Sequence, residues 1–272
     1  MDFKLKYEII KRYLPCPSDR RRGLLMSPGV RYIVAHDTGN PGTTARQNVA
    51  YFTNQPNLSA SAHLFVDGEE IIECVPALTG PPEKAWHVLY NTVIDAHLYG
   101  HKANDAAIGI EYCYGGAIDA DQAYARYVWL IAYACHRYGL DPARAVVGHF
   151  LLDPQRKTDP VSGLMHSRRS YDQLLRDVVS EYHECLGQPD PHAAEPKREP
   201  VPVVVVTTVA LNIRRGQPNC RAEIHATAAP GTRLAYVASV DNGQAINGNT
   251  LWYQDADRNF FWSGATRPAP TD

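Results

Sequence analysis

The stretch "RYIVAHDTGN" (residues 31–40) is an apolar, β-branched run that ends at His36 and is followed by turn-forming residues. A run of this length and composition predicts a buried strand, and the Asp-Thr-Gly-Asn segment predicts the turn that ends it. Loops that leave the carboxyl ends of strands line the crevice in which α/β proteins place reactive groups. The stretch therefore predicts a central strand and makes His36 a candidate for chemistry.

Similar apolar runs alternate with helical patterns as far as residue 186. The other strand-like runs are "AHLFVD" (62–67), "IIECV" (71–75), "AIGIEYCY" (107–114) and "AVVGHF" (145–150). The helical segments are 44–54, 120–140 and 170–185, with capping boxes at Thr44 with Gln47 and at Ser170 with Gln173. This alternation predicts an α/β domain in residues 1–186, with a mixed central sheet flanked by helices.

A second domain is predicted after a linker. Residues 187–202 are rich in proline and charge and lack a hydrophobic period, which predicts an extended connection. Residues 203–272 contain short strand-like runs between Gly, Asn and Pro. This pattern is typical of a small all-β barrel or sandwich.

Composition and charge exclude some partners. The chain has 272 residues and a formal net charge of -2, so no general electrostatic attraction to nucleic acid or to an anionic membrane is expected. The apolar run "VPVVVV" (201–206) is far shorter than the roughly 20 residues that a membrane span needs, so no membrane insertion is expected. Residues 1–15 lack the apolar core of a Sec signal peptide, which predicts synthesis in the cytoplasm and release by lysis or a non-Sec route.

Two histidines and a carboxylate could form a metal site. His36 and His149 both fall at predicted strand ends, and Asp153 and Asp159 lie in the polar loop that follows His149. Two imidazoles and one carboxylate suit catalytic zinc, because the fourth tetrahedral position stays open for a water molecule of lowered pKa. The alternative is that each histidine is a structural residue with satisfied hydrogen bonds. Spacing alone does not choose between the two aspartates.

Two further charged residues are candidates for catalysis. Glu111 interrupts the apolar run "AIGIEYCY", where a charged group must face a crevice or be buried at an energetic cost. A position on the solvent face of the strand is the alternative. Lys157 lies two residues before Asp159 and could bring an ammonium group to the same site, or it could be a solvated loop lysine.

The motifs "YIVAHDTGN", "SAHLFVDG", "KAWHV", "NDAAIGIEYCY" and "GHFLLDPQRKTDP" occur in this order. Over about residues 5–186 the chain resembles the zinc-dependent N-acetylmuramoyl-L-alanine amidases of the type 2 family. The resemblance implies a Zn2+ cofactor, peptidoglycan as substrate and partner, and cleavage of the amide between N-acetylmuramic acid and the L-alanine of the stem peptide. The protein would then act at the bacterial cell wall.

The resemblance also assigns roles to residues. It implies that His36, His149 and Asp159 are the zinc ligands, and that Glu111 and Lys157 are catalytic. Some relatives have a catalytic tyrosine where this chain has Ala62, which leaves proton transfer to Glu111.

Four residues are candidates for binding substrate. Trp86 and His87 lie in a predicted loop, where aromatic groups beside a cleft often contact a ligand, and Asn104 belongs with them. His63 lies in the strand "AHLFVD". Packing is the alternative for Trp86 and His87, and a core position with hydrogen bonds to the backbone is the alternative for His63.

The second domain resembles bacterial SH3-like domains over about residues 203–267, and such domains commonly hold enzymes on the cell wall. Its aromatic residues could form an exposed binding stripe, although a domain of this size needs most of them for its core. These residues are Trp252, Tyr253, Phe260, Phe261 and Trp262.

Two other functions fit parts of this pattern less well. A peptidoglycan-binding or sensing protein without activity would be expected to lack a metal ligand, whereas all three positions here are filled. A zinc peptidase would be expected to contain a His-Glu-x-x-His helix, which this sequence lacks.

Overall fold

A computed structural model of the protein describes residues 2–192, 203–241 and 243–269. The chain divides into two compact units, Met1–Ala194 and Glu195–Asp272. Most of the predicted linker, from residue 193 to residue 202, lies outside the described residues. None of the helices in the described ranges combines the length and the hydrophobicity that a bilayer span requires.

A six-stranded mixed sheet forms the centre of the first unit, with the strand order β1-β4-β3-β5-β2-β6. The strands are β1 (Ile9–Lys11), β2 (Tyr32–Asp37), β3 (Leu64–Val66), β4 (Ile71–Glu73), β5 (Ala107–Tyr112) and β6 (Val146–Gly148). β3 and β4 are antiparallel, and every other neighbouring pair is parallel. The predicted mixed sheet is therefore confirmed. β1 was not predicted, because this edge strand contains only two apolar residues.

Seven helices accompany the sheet in the described part of the first unit. They are α1 (Ala45–Asn54), α2 (Ile94–Tyr99), α3 (Ala103–Ala106), α4 (Ala120–Arg137), α5 (His149–Leu152), α6 (Val161–His166) and α7 (Tyr171–Cys185). Both bonds of the predicted capping box at Thr44 are present, so the predicted start of α1 is confirmed. At the start of α7, the Ser170 hydroxyl accepts a hydrogen bond from the backbone N–H of Gln173, which is one of the two predicted bonds.

Side chains alternate between the two faces of the sheet. On β2, Ile33 and Ala35 belong to the core that includes residues of α4 and α7, whereas Tyr32 and Val34 belong to a separate core on the other face. His36 lies two residues after Val34, so its side chain is on the same face of the sheet as those of Tyr32 and Val34. Because His36 pairs with Glu111 across β2 and β5, the two side chains point to the same face.

A buried carboxylate stabilises the turn that follows β4. Glu73 is fully buried, and its Oε1 accepts hydrogen bonds from the backbone N–H groups of Ala77 at 2.8 Å and Thr79 at 3.2 Å, and also from that of Leu78. Buried backbone donors need such partners. Glu73 therefore supplies the acceptor for three backbone N–H groups of this turn.

The second unit contains two antiparallel sheets, with strand orders β10-β7-β14 and β11-β12-β13-β8-β9. The strands are β7 (Val203–Thr207), β8 (Leu211–Arg215), β9 (Ile224–Ala228), β10 (Arg233–Tyr236), β11 (Ala238–Val240), β12 (Trp252–Gln254), β13 (Asn259–Trp262) and β14 (Thr266–Pro268). The all-β architecture agrees with the sequence, and the SH3-like barrel stays a prediction.

The aromatic residues of the second unit mostly serve its core. Trp252, Phe260 and Phe261 are buried, and Tyr253 and Trp262 are half-buried. Tyr253 and Trp262 pack against the small hydrophobic cluster that contains Phe261. The expectation that the core needs most of these aromatic residues is confirmed, and the five do not form an exposed stripe together.

We expect Glu73→Ala to lower the free energy of unfolding of the first unit by about 2–4 kcal/mol, because three backbone N–H groups lose their buried charged acceptor. Urea unfolding of the full chain measures this loss. Glu73→Gln retains an Oε1 acceptor and should lose less than half as much. An alanine variant as stable as the wild type would contradict this role of Glu73.

Candidate metal centre

Three buried side chains converge at one edge of the sheet. Asp159 Oδ2 lies 2.9 Å from His36 Nδ1 and 3.0 Å from His149 Nδ1. The two imidazole rings meet edge to face, with centroids 4.6 Å apart. The structure thus brings together the three residues that the sequence analysis expected to bind a metal.

Sheet topology explains how the two histidines meet. Ala35 pairs with Gly148 across the parallel strands β2 and β6, so the next residues, His36 and His149, leave neighbouring strands side by side. His149 was predicted to end a strand. It is instead the first residue of α5, because β6 ends at Gly148.

The loop after α5 brings the carboxylate to the histidines. The backbone N–H of Phe150 donates to the carbonyl of Asp159 at 3.0 Å, which closes the loop. Asp159 belongs to the three-residue cluster of potential metal ligands. Asp153, the other candidate, is bound by the guanidinium of Arg156. The geometry therefore favours Asp159 as the carboxylate of the site.

Burial and hydrogen bonds together set the protonation states of His36 and Asp159. Burial lowers the pKa of His36 to about 4, so the imidazole is neutral at neutral pH. For Asp159, burial alone would raise the pKa, but hydrogen bonds with His149 and His36 outweigh that effect and hold the pKa well below its usual range. Ionised carboxylate and neutral imidazole are the forms that bind metals.

Glu111 has the opposite protonation behaviour. Burial, followed by the nearby carboxylates of Asp159 and Asp37, raises its pKa well above the usual range, and Lys157 partly offsets this. Glu111 pairs with His36 across β2 and β5 and is half-buried. Lys157 is exposed in the loop before Asp159. A carboxyl group with a raised pKa beside a potential metal site can accept and return a proton.

A groove of about 420 Å³ lies beside the cluster. Its lining includes Trp86, Leu89, Tyr90, His149, Arg156 and Lys157. The Trp86 ring is half-buried, and the guanidinium carbon of Arg22 lies 4.7 Å from its centroid. The groove therefore combines aromatic surface with positive charge next to the potential metal ligands.

His87 is buried and contacts the metal centre directly. Its Nδ1 lies 2.9 Å from His36 Nε2, and its Nε2 lies 3.1 Å from the carbonyl oxygen of Ala107. Both ring nitrogens are therefore occupied by protein atoms. His87 also lines the groove, so its predicted contact with substrate stays a prediction.

Asn104 and His63 use their polar atoms on the backbone. The Asn104 side chain accepts from the N–H groups of His87 and Val88 and donates to the carbonyl of Val88. His63 Nδ1 accepts from the N–H of Gly109, and its Nε2 donates to the carbonyl of Glu83. Both residues are buried. Asn104 also lines the groove, so its predicted contact with substrate stays a prediction, whereas the burial of His63 matches the core alternative.

The sequence analysis missed two residues that support the site. The Asp37 carboxylate accepts from the Ser162 hydroxyl and the Gly163 N–H, each at 2.7 Å, which fixes α6 to the end of β2. The hydroxyl of Tyr127, on α4, donates to the carbonyl of His36 at 2.9 Å. Asp37 directly follows His36, and this adjacency was an available signal. The contact of Tyr127 spans 91 residues of sequence, so no local pattern indicates it.

A family model described as N-acetylmuramoyl-L-alanine amidase matches residues 26–162, just over half of the 272-residue chain. The chain belongs to the N-acetylmuramoyl-L-alanine amidase family. The range that the family model matches includes all three residues of the buried cluster, together with Glu111 and Lys157.

Two curated proteins are similar to this family member. It is 31% identical over 172 residues to the N-acetylmuramoyl-L-alanine amidase BlyA of Bacillus subtilis (strain 168), covering 59% of this chain and 44% of BlyA. It is 28% identical over 180 residues to the N-acetylmuramoyl-L-alanine amidase CwlL of Bacillus licheniformis, covering 62% and 48% of the two chains. The chain thus spans about half the length of the curated relatives it matches.

Solved structures share the fold of this family member. The catalytic domain of XlyA matches with a TM-score of 0.50 and 27% identity, covering 63% of this chain and 99% of that one. The Staphylococcus aureus hydrolase AmiA, in complex with its ligand, matches with a TM-score of 0.53 and 26% identity, covering 69% and 89%.

The metal-free protein should lose stability as the pH falls from about 6.5 to about 4. Burial lowers the pKa of His36 and His63 from 6.5 to about 4 and that of His87 well below 6.5, so in this window the unfolded chain binds protons that the folded chain does not. Glu111, whose raised pKa favours its protonated form in the folded chain, opposes this by about one proton, and the three histidines outweigh it. His36 and His63 each contribute roughly 3 kcal/mol that is present above pH 6.5 and lost toward pH 4.

Urea unfolding at a series of pH values, with chelator present, measures this slope. His63→Gln should reduce this slope by about one proton, because one of the three buried imidazoles of lowered pKa is gone. A free energy of unfolding that stays constant between pH 4 and pH 6.5 would rule out this account of the buried histidines.

Proposed function

We propose that this protein is a zinc-dependent N-acetylmuramoyl-L-alanine amidase. It hydrolyses peptidoglycan at the amide between the lactyl group of N-acetylmuramic acid and the L-alanine of the stem peptide. The observation that carries the proposal is the convergence of His36, His149 and Asp159 beside a groove, in a member of this family.

The residues of the cluster fit zinc. Two imidazole nitrogens and one carboxylate oxygen are a common donor set of catalytic zinc sites, which keep a fourth position open. Zinc bonds of about 2.0–2.2 Å in a tetrahedral arrangement place donor atoms about 3.3 Å apart. The contacts of 2.9 Å and 3.0 Å between Asp159 and the two histidines are within a few tenths of an ångström of that spacing.

A zinc ion held there would supply Lewis acidity and a water molecule of lowered pKa. Glu111 accepts the proton of the attacking water and returns it to the leaving amine, a role that suits a carboxyl group of raised pKa. The Lys157 ammonium stabilises the negative charge that develops on the carbonyl oxygen of the amide. Lys157 is exposed and lines the groove, so it can reach a bound substrate.

The groove and the second unit contribute to substrate binding. Trp86 and Tyr90 offer aromatic surface to sugar or peptide, and Arg22 and Arg156 offer positive charge to the carboxylates of a stem peptide. Residues 203–272 form a domain, proposed to be SH3-like, that holds the enzyme on the wall, and residues 1–186 form the catalytic domain. The protein acts at the bacterial cell wall.

Two variants separate metal binding from catalysis. Asp159→Ala should lose zinc, because the carboxylate shared by both histidines is gone. Glu111→Gln should retain zinc and lose roughly 10²–10⁴-fold in hydrolysis rate, because the amide cannot carry the proton. Metal content of the purified proteins and the rate of amine release from peptidoglycan measure the two effects.

Asp153→Ala is the matched control. It removes a carboxylate from the same loop, but one that is bound by Arg156 outside the cluster, so it should retain zinc. Full zinc content in Asp159→Ala would refute the ligand set. Full activity in Glu111→Gln would refute the proton-transfer role.

A further inference from the structure

We infer that His87 is a positioning residue for the metal centre. When a metal occupies His36 Nδ1, His87 accepts a hydrogen bond from His36 Nε2–H and thereby holds the His36 ring in the orientation and tautomer that present Nδ1 to the metal. This inference rests on the proposed function, since zinc is taken as the ion that His36 would bind.

His36, His87 and the carbonyl of Ala107 form a series of hydrogen bonds, and the direction of each bond can be assigned by starting from the carbonyl oxygen. The carbonyl of Ala107 can only accept, so His87 Nε2, at 3.1 Å, carries a proton and donates it. A neutral imidazole has one N–H, which makes His87 Nδ1 an acceptor. Asp159 Oδ2, 2.9 Å from His36 Nδ1, also only accepts, so in the metal-free site it competes for the single proton of neutral His36. Once Nδ1 binds a metal in place of that contact, the proton is on Nε2, which donates to His87 Nδ1 at 2.9 Å.

The surrounding residues fix the His87 ring from several sides. Asn104 accepts from its backbone N–H at 3.0 Å, and the His63 ring meets it edge to face, with centroids 5.5 Å apart. Gly109 lies directly beneath the ring, where an added Cβ would lie 2.7 Å from Cγ and Nδ1 of His87. The missing side chain at Gly109 therefore provides the space that the ring occupies. Asn104, His63 and Gly109 support the metal centre through His87.

A matched pair of substitutions tests the inference. Asn and Leu have the same shape, but only the Asn Oδ1 can accept at the position of His87 Nδ1. Both variants lose the bond to Ala107, so that loss cancels in the comparison. Because orienting hydrogen bonds to metal ligands affect affinity by about 10–100-fold, His87→Leu should weaken zinc binding by that factor, and His87→Asn should stay within about threefold of the wild type.

Competition with a chromophoric chelator measures the zinc dissociation constants, and circular dichroism of the metal-free proteins shows whether each variant is folded. Equal zinc affinity in wild type, His87→Asn and His87→Leu would overturn the inference. Equal losses in Asn and Leu variants would overturn it as well, since shape rather than the acceptor would then matter.

The tautomer of the zinc-loaded protein is the second readout and needs no variant. Nitrogen-15 NMR of the zinc-loaded wild type should show the metal on His36 Nδ1 and the proton on Nε2. Zinc on His36 Nε2 would overturn the inference although zinc binds. A wild type that binds no zinc would overturn the proposed function, and the inference with it.

Discussion

Asp159 Oδ2 is shared by His36 and His149 in a buried pocket, and much of the first unit serves to make this contact possible. Polar groups removed from water are stable only when they have partners. Parallel pairing of β2 and β6 places the histidines side by side, and the closed loop after α5 returns the carboxylate to them. Tyr127 holds the backbone of His36 from the opposite layer. The site is therefore a product of the whole α/β arrangement.

Two carboxyl groups in one small region have pKa values that move in opposite directions. Asp159 is stabilised as an anion by the two histidines, whereas burial and nearby negative charge favour the protonated form of Glu111. Environments that separate the pKa values of neighbouring acids commonly assign them different roles. A permanent anion suits a metal ligand, and a group that readily gains a proton suits acid–base catalysis. This division supports the proposed roles of Asp159 as a metal ligand and of Glu111 in proton transfer.

Periodicity and length predicted the strands and helices that carry a clear hydrophobic pattern, including β2, β5 and α4. The missed elements are short, such as β1, α2 and β14, and their stability comes from pairing and packing with distant residues rather than from local preference. At the site, residue type and strand-end position indicated His36 and His149. Loop spacing left Asp153 and Asp159 equivalent, since only the folded loop shows which one reaches the histidines. The inferred role of His87 depends on its ring lying over Gly109, a contact between a loop and a strand that no sequence pattern encodes.

The most direct test of the account is the identity of the bond that the protein breaks. Purified peptidoglycan would be incubated with the full chain as purified, after chelation and after zinc is returned, and the released products would be identified by mass. The account predicts free stem peptides that begin at L-alanine, lost on chelation and restored by zinc. Products cut within the stem peptide would contradict the assigned bond, and binding to peptidoglycan without any released product would contradict catalysis.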